Sequence, residues 1–137
     1  MAYRIRRVEY FYTTVVDQPG ESYNVLSALA GLGVNLLAFT AVPVGPDETQ
    51  LTLFPEDPAK MKSEAQKAGM ALDGPHRALL VQGDDELGAL AAVHERIYKA
   101  GVNVYASNAV ADGFGKYGYL IYVRPEDYER GAKALEV

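Results

Sequence analysis

Cysteine is absent from the 137-residue chain, which excludes disulfides, thiolate metal ligands and a cysteine nucleophile. No apolar run approaches the roughly 20 residues of a membrane-spanning helix. The opening Met1-Ala2-Tyr3-Arg4-Ile5-Arg6-Arg7 lacks the apolar stretch of a secretory signal. Basic residues are not in excess either. Thirteen Lys and Arg stand against eighteen Asp and Glu, a net charge of −5, which disfavours a polyanion such as nucleic acid as the main partner. No segment has the composition of a disordered chain, and an apolar fraction of 49 % is ample for a core. These absences predict a soluble cytoplasmic protein.

What is present is a repeat. Asp17-Gln18-Pro19-Gly20 opens a segment that ends in Gly33-Val34-Asn35-Leu36, and Asp85-Glu86-Leu87-Gly88 opens one that ends in Gly101-Val102-Asn103-Val104. At this offset Gly20 falls on Gly88, Val25 on Val93, Leu29 on Ile97 and Asn35 on Asn103. The echo continues from Pro55-Glu56-Asp57 into Pro125-Glu126-Asp127, with a slip in the loop between. A repeat this long is a supersecondary unit, so the chain reads as two copies of one small fold. Each copy alone buries a modest share of its surface and needs the other, or another chain, for stability.

Residues 10–16 are aromatic and β-branched and predict a strand. Pro19 is placed to open a helix, along which Val25, Leu26, Leu29 and Leu32 recur at helical spacing until Gly33. Strands over 34–44 and 50–54, a helix over 59–68 and a short strand over 70–72 follow, with Asp73-Gly74 read as a turn. The second copy repeats the order: strand 78–83, helix 86–100, strand 102–110, strand 117–123 and a helix opened by Pro125. The predicted class is α+β, two ferredoxin-like βαββαβ units with antiparallel sheets and helices on one face of each sheet. The units are expected at 1–74 and 75–137. The second lacks a fourth strand of its own, and residues 3–8 are surplus in the first, so 3–8 are expected to act as an exchanged edge strand.

The pattern Asp17-x-Pro19-Gly20, an apolar helix, then Gly33-Val34-Asn35-Leu36 resembles the ACT domain, a small ferredoxin-like module that binds amino acids and regulates metabolic enzymes. The likeness covers nearly the whole chain as a tandem pair, with Leu87 replacing the proline in the second copy. It implies a ligand held between two units by the loop after the first strand and the start of a neighbour's second strand. Carried over, that designates Asp17, Gln18, Pro19, Gly20, Glu21 and Asn35, and in the second copy Asp85, Glu86, Leu87, Gly88 and Asn103. Free N–H groups at a helix start take a carboxylate, glycine admits a ligand to the backbone, and asparagine both donates and accepts. Serine-binding members carry a histidine two positions before the residue matching Asp17; Val15 stands there. The lone Asp17 suits an ammonium group, so the first copy is expected to hold the better site.

Plainer readings stand beside these. Acids at a helix start complement the macrodipole, which accounts for Asp84, Asp85 and Glu86 without a metal. Asn35 and Asn103 suit turn bonding as well as ligand contact. His94 is expected as a core or interface residue and His76 as a solvated turn residue. Lys116-Tyr117-Gly118-Tyr119-Leu120-Ile121-Tyr122 comes near the aromatic strand of RNA-recognition modules. The first strand of that copy, Leu79-Leu80-Val81, brings no second aromatic, and the tyrosines are expected on an open sheet face. No paired nucleophile and base, metal cluster, phosphate loop or dinucleotide fingerprint is present. The expectation is therefore a non-catalytic regulatory protein without cofactor or metal. It would sense an amino acid or similar zwitterion at a unit interface, form a homo-oligomer and act on a separate metabolic enzyme. RNA binding through 117–122 and ligand-free scaffolding are the alternatives.

Overall fold

The computed structural model describes residues 3–137, so the first two residues of the expected first unit lie outside the described residues. The fold is α+β. Strand β1 (Tyr3–Val16) is followed by α1 (Glu21–Gly31), β2 (Leu36–Pro43), β3 (Glu48–Pro55), α2 (Pro58–Lys67) and β4 (Asp73–Asp84). Next come α3 (Ala89–Lys99), β5 (Ala106–Ala111), β6 (Lys116–Tyr122), a 3₁₀ turn at Pro125–Asp127, and α4 (Tyr128–Ala134). The chain divides into two compact units: Glu9–His76, and Arg77–Val137 together with the described residues up to Val8.

In the unit Glu9–His76 the strand order is β2-β3-β1-β4. Strand β3 runs antiparallel to both its neighbours, with Leu53 opposite Phe11 on one side and Phe39 on the other. Phe11 and Leu53 face the same side, where Leu29 of α1 and Met61 of α2 pack on them. The helical spacing of Val25, Leu26, Leu29 and Leu32 creates that apolar stripe. Helix α1 closes with the Gly33 N–H donating to the Ala30 carbonyl and the Val34 N–H to Leu29, the paired bonds of a Schellman end. Asp57 caps α2 by accepting from the Lys60 N–H at 3.1 Å.

The other unit has the order β1-β4-β6-β5. Leu79 lies opposite Ile121, Val81 opposite Tyr119 and Gly83 opposite Tyr117. Leu79, Val81, Tyr117, Tyr119 and Ile121 meet Val93 and Ile97 of α3 and Tyr128 and Ala132 of α4 in one cluster, against which Tyr3 and Ile5 also pack. Val93 and Ile97 are 0 % and 1 % exposed, a burial that stabilises by about 1.5–3 kcal/mol for each side chain. Arg6 donates to Gln82 at 2.8 Å, and Arg7 donates to Glu129 at 2.9 Å and to the Val137 carbonyl at 3.0 Å. Arg7 and Arg77 both lie against the Tyr128 ring, 5.7 and 4.2 Å from its centroid. The Tyr128 hydroxyl donates to the Ala78 carbonyl at 2.9 Å.

Several expectations are corrected. Pro19 does not open the helix: Gly20, at φ 91°, is the residue before α1, and Pro19 belongs to the turn ahead of it. Residues 70–72 form no strand, and Asp73-Gly74 is no turn but the start of the continuous β4. The reason is tertiary. Gly74 (φ 146°) comes so close to β1 that a Cβ there would stand 2.8 Å from the Tyr10 carbonyl oxygen, so the glycine serves strand approach. His76 consequently sits within β4, half-buried, stacked on Tyr12 with ring centroids 5.0 Å apart and bonded to Asp73 at 2.9 Å. Tyr117 and Tyr119 are not on an open face. They are 7 % and 4 % exposed, because two-residue alternation along β6 turns them with Ile121 toward the helices.

Candidate functional site

The two designated loops share one backbone device. Gly20 and Gly88 precede α1 and α3 in the left-handed conformation, at φ 91° and 80°, and neither helix has a side-chain cap. A Cβ at either position would meet nothing within 4 Å, so glycine is required there by conformation, not by crowding. An α-helix leaves its first N–H groups without intrahelical acceptors. In α3 the Ala89 N–H reaches the Glu86 carbonyl and the Ala92 N–H the Gly88 carbonyl, while the Leu90 and Ala91 N–H groups have no backbone acceptor among the described residues. In α1 the corresponding bonds run from Glu21 to Gln18 and from Asn24 to Gly20.

Side chains separate the two loops. At α1 the Gln18 amide donates to the Glu21 carboxylate at 2.8 Å. Asn35 donates to Glu56 at 2.7 Å while its carbonyl accepts from the Glu56 N–H at 2.8 Å. Asp17, Gln18, Pro19 and Gly20 are exposed, and the Asp17 N–H is tied to the Asp47 carbonyl at 2.8 Å. At α3 the Asp85 N–H is held by the Gly115 carbonyl at 2.9 Å. The carboxylates of Asp85 and Glu86 have no hydrogen-bond or ion-pair partner among the described residues, and the same holds for the exposed Asn103 side chain.

A cleft of about 650 Å³ opens at the α3 entry. Its rim is Asp85, Glu86, Leu87 and Gly88, and its wall is the alanine- and valine-rich stretch 109–111 of β5. Tyr117 completes it. The structure thus brings four designated residues of the second copy together, while Asn103 is not among the lining residues. All six residues of β5 are exposed, so this wall is open to solvent.

Tyr117 is the lining residue that sequence reasoning assigned elsewhere. Its hydroxyl is buried without a hydrogen-bond partner among the described residues. Burial raises its phenol above the ordinary tyrosine value, and the neighbouring Tyr3 and Glu86 add to the shift. The available signal was alternation: counting two residues at a time from the apolar Ile121 places Tyr117 on the helix side of β6. Lys116, next to it, pairs with Asp84 across the strands, which raises the Lys116 pKa.

Two other polar clusters are structural in form. Asp73 accepts from Tyr12 and bonds His76, which lowers its carboxyl and raises the Tyr12 phenol. His94 hydrogen-bonds the Tyr119 hydroxyl at the edge of the core, in keeping with its expected packing role. Among the described residues no group of three His, Asp or Glu side chains is arranged to hold a metal. No described helix is long and apolar enough to cross a membrane.

No known protein family and no curated protein matches the sequence. Solved structures do match in shape. Protein BT0572 from Bacteroides thetaiotaomicron superposes with a TM-score of 0.79 at 18 % identity, over 96 % of this chain and 88 % of that one. The regulatory subunit of aspartate kinase from Thermus thermophilus, in its ligand-free form, gives 0.61 at 15 % identity over 98 % and 95 %. The corresponding subunit from Thermus flavus gives 0.55 at 14 % identity, again over 98 % and 95 %. At these identities the likeness is one of fold, and the fold is ACT-like.

Proposed function

We infer that the protein is a regulatory module that senses a small amino acid or similar zwitterion. Its architecture is read as a tandem of two ferredoxin-like βαββαβ units, the second completed by Tyr3–Val8 as its edge strand. The observation that carries the functional reading is the cleft at the α3 entry, where Asp85, Glu86, Leu87 and Gly88 converge on an uncapped helix start. Carboxylates without partners suit an ammonium group, free helix N–H groups suit a carboxylate, and the apolar wall suits a short side chain. Two solved structures of this fold are named regulatory subunits of aspartate kinase, which supports a regulatory rather than a catalytic role. Binding transmits a signal only through differential affinity for two states, here proposed as two assembly states of a homo-oligomer or its complex with a separate enzyme.

The RNA-binding alternative loses its platform, because Tyr117 and Tyr119 are core residues. Ligand-free scaffolding is the remaining rival. A thermal-shift screen of the twenty amino acids separates them. A ligand present at 100 times its Kd adds about 2.7 kcal/mol of stability, a clear rise in melting temperature. The rise is expected to vanish in Glu86→Gln and to persist in Asp17→Asn. Equal rises in all three proteins would refute the site, and no rise with any amino acid would leave the scaffold.

A further inference from the structure

We propose that the outer edge of β5, with the loop tips that carry Leu87 and Phe114, is a docking surface for an extended, basic segment of another protein. The segment adds a strand to β5, packs apolar side chains on Leu87, Val110 and Phe114, and sets lysine or arginine beside Asp85 and Glu86. The proposal rests on the regulatory reading above only in having a partner chain, and it requires no amino-acid ligand.

The two loops share a frame with their counterparts in Glu9–His76. The Asp17 N–H bonds the Asp47 carbonyl as the Asp85 N–H bonds Gly115, and the Val44 N–H bonds Glu48 as the Asp112 N–H bonds Lys116. In that frame Leu87 and Phe114 take the positions of Pro19 and Pro46. The loop conformation therefore requires neither large side chain, yet Leu87 is fully exposed and Phe114 is 90 % exposed. They are not isolated. Leu87 and the exposed Val110 line one cleft, and the Asp85–Gly115 bond ties the loop of Phe114 to that of Leu87. Single exposed apolar residues are ordinary, whereas a cluster of them marks an interaction surface.

The strand beside them is open. Strand β5 ends its sheet order, with β6 on one side only, and all six of its residues are exposed. Sheet edges are ordinarily guarded by charge, proline or a bulge. The edge strand β2 has Pro43 and a break in register between Leu36 and Ala38. Strand β5, Ala106-Ser107-Asn108-Ala109-Val110-Ala111, has none of these and pairs with β6 in unbroken register. Strand addition at such an edge supplies main-chain hydrogen bonds, while the flanking side chains select the segment. Charge identifies the occupant. The loops 84–88 and 112–116 carry Asp84, Asp85, Glu86 and Asp112 against Lys116 alone, and Lys116 is held by Asp84. A second copy brings the same acids and a net charge of −5, whereas a basic segment neutralises them.

The probe is a short synthetic peptide alternating lysine and leucine, titrated calorimetrically into the full chain. It is expected to bind, with the glutamate–leucine and lysine–serine counterparts each at least about tenfold weaker. Methylating its backbone nitrogens, which removes strand pairing, is expected to weaken it about tenfold as well. Leu87→Ser and Phe114→Ser should each weaken binding about tenfold and leave the melting temperature unchanged, since both side chains are exposed. Asp85→Asn combined with Glu86→Gln should abolish the preference for lysine over glutamate. Equal binding of the lysine and glutamate peptides, or affinity untouched by Leu87→Ser, Phe114→Ser or methylation, overturns the proposal. So does absence of binding at about 1 mM peptide. A dimer that Phe114→Ser abolishes and the peptide fails to displace gives the surface to a second copy. Binding to phosphatidylcholine vesicles without peptide binding gives it to a lipid, and either result overturns the proposal. Peptide binding by a protein that no amino acid stabilises upholds the docking surface and removes the ligand reading. Stabilisation by an amino acid with the peptide silent does the reverse.

Discussion

The α1 and α3 entries are built on one backbone plan and finished with opposite chemistry. Both begin after a left-handed glycine and both lack a side-chain cap. At α1 the loop's polar side chains are spent on each other, Gln18 on Glu21 and Asn35 on Glu56. At α3 the equivalents of that second pair, Asn103 and Glu126, make no such bond, and Asp85 and Glu86 are left to the cleft. The difference teaches that a repeated motif preserves a conformation more faithfully than a use. Satisfied polar groups stabilise a loop, and unsatisfied ones at a concave surface are available to a ligand.

The sharpest way to break the comparison is to remove what holds one unit together. Tyr3 and Ile5 pack on the Arg77–Val137 core, and Arg6 and Arg7 bond Gln82 and Glu129. Deleting residues 3–8 is predicted to cost that unit its cooperative fold while Glu9–His76 persists. Amide NMR spectra would show the loss of one set of dispersed resonances; retention of both sets would contradict the assignment. A smaller effect is expected from the two asparagines. Asn35→Ala should destabilise by about 0.5–1 kcal/mol, the net value of an exposed side-chain hydrogen bond, whereas Asn103→Ala should be neutral in urea denaturation. Equal costs would mean that the loops are energetically alike after all.

The smallest effect concerns pH. Hydrogen bonding from Arg7, reinforced by Arg77, lowers the Glu129 carboxyl. A carboxyl depressed on folding contributes stability that is present above its unfolded value, about 4.3, and is lost as the pH falls through the folded value. Melting temperature is therefore expected to drop on acidification below that range, with a shallower decline in Glu129→Gln. Both partners are largely exposed, so the change is small. An acid limb unchanged by the substitution would show that this ion pair contributes nothing to the unit.

Much of the fold was legible in the residues. Apolar spacing from Val25 to Leu32 and the matching stretch from Val93 marked α1 and α3, because a helix with one buried stripe must show that period. Strand boundaries near 70–78 were not legible. Asp73-Gly74 carries the local signature of a turn, and only proximity to Tyr10 and Phe11 reveals that the glycine is there for clearance. Tyrosines such as Tyr117 and Tyr119 suit an open sheet by composition and a core by alternation, and packing decided for the core. The loops ahead of α1 and α3 were legible as positions. Their difference was not, because the Asn35–Glu56 bond joins residues whose separation in sequence carries no local pattern.

The division of β1 between the units has a consequence for the order of folding. Glu9–His76 is contiguous and can close once its own residues are available. The other unit needs Arg7 beside Glu129, 122 residues away, and so depends on contacts of very large sequence separation. Such contacts form late, since the entropy of closing the chain is lost before any interaction rewards it. During synthesis the segment Tyr3–Val8 therefore waits unpaired while the rest of β1 is already in place. Throughout that interval it is a bare strand edge, and its three arginines, Arg4, Arg6 and Arg7, provide the charge that keeps such an edge from pairing with the wrong chain.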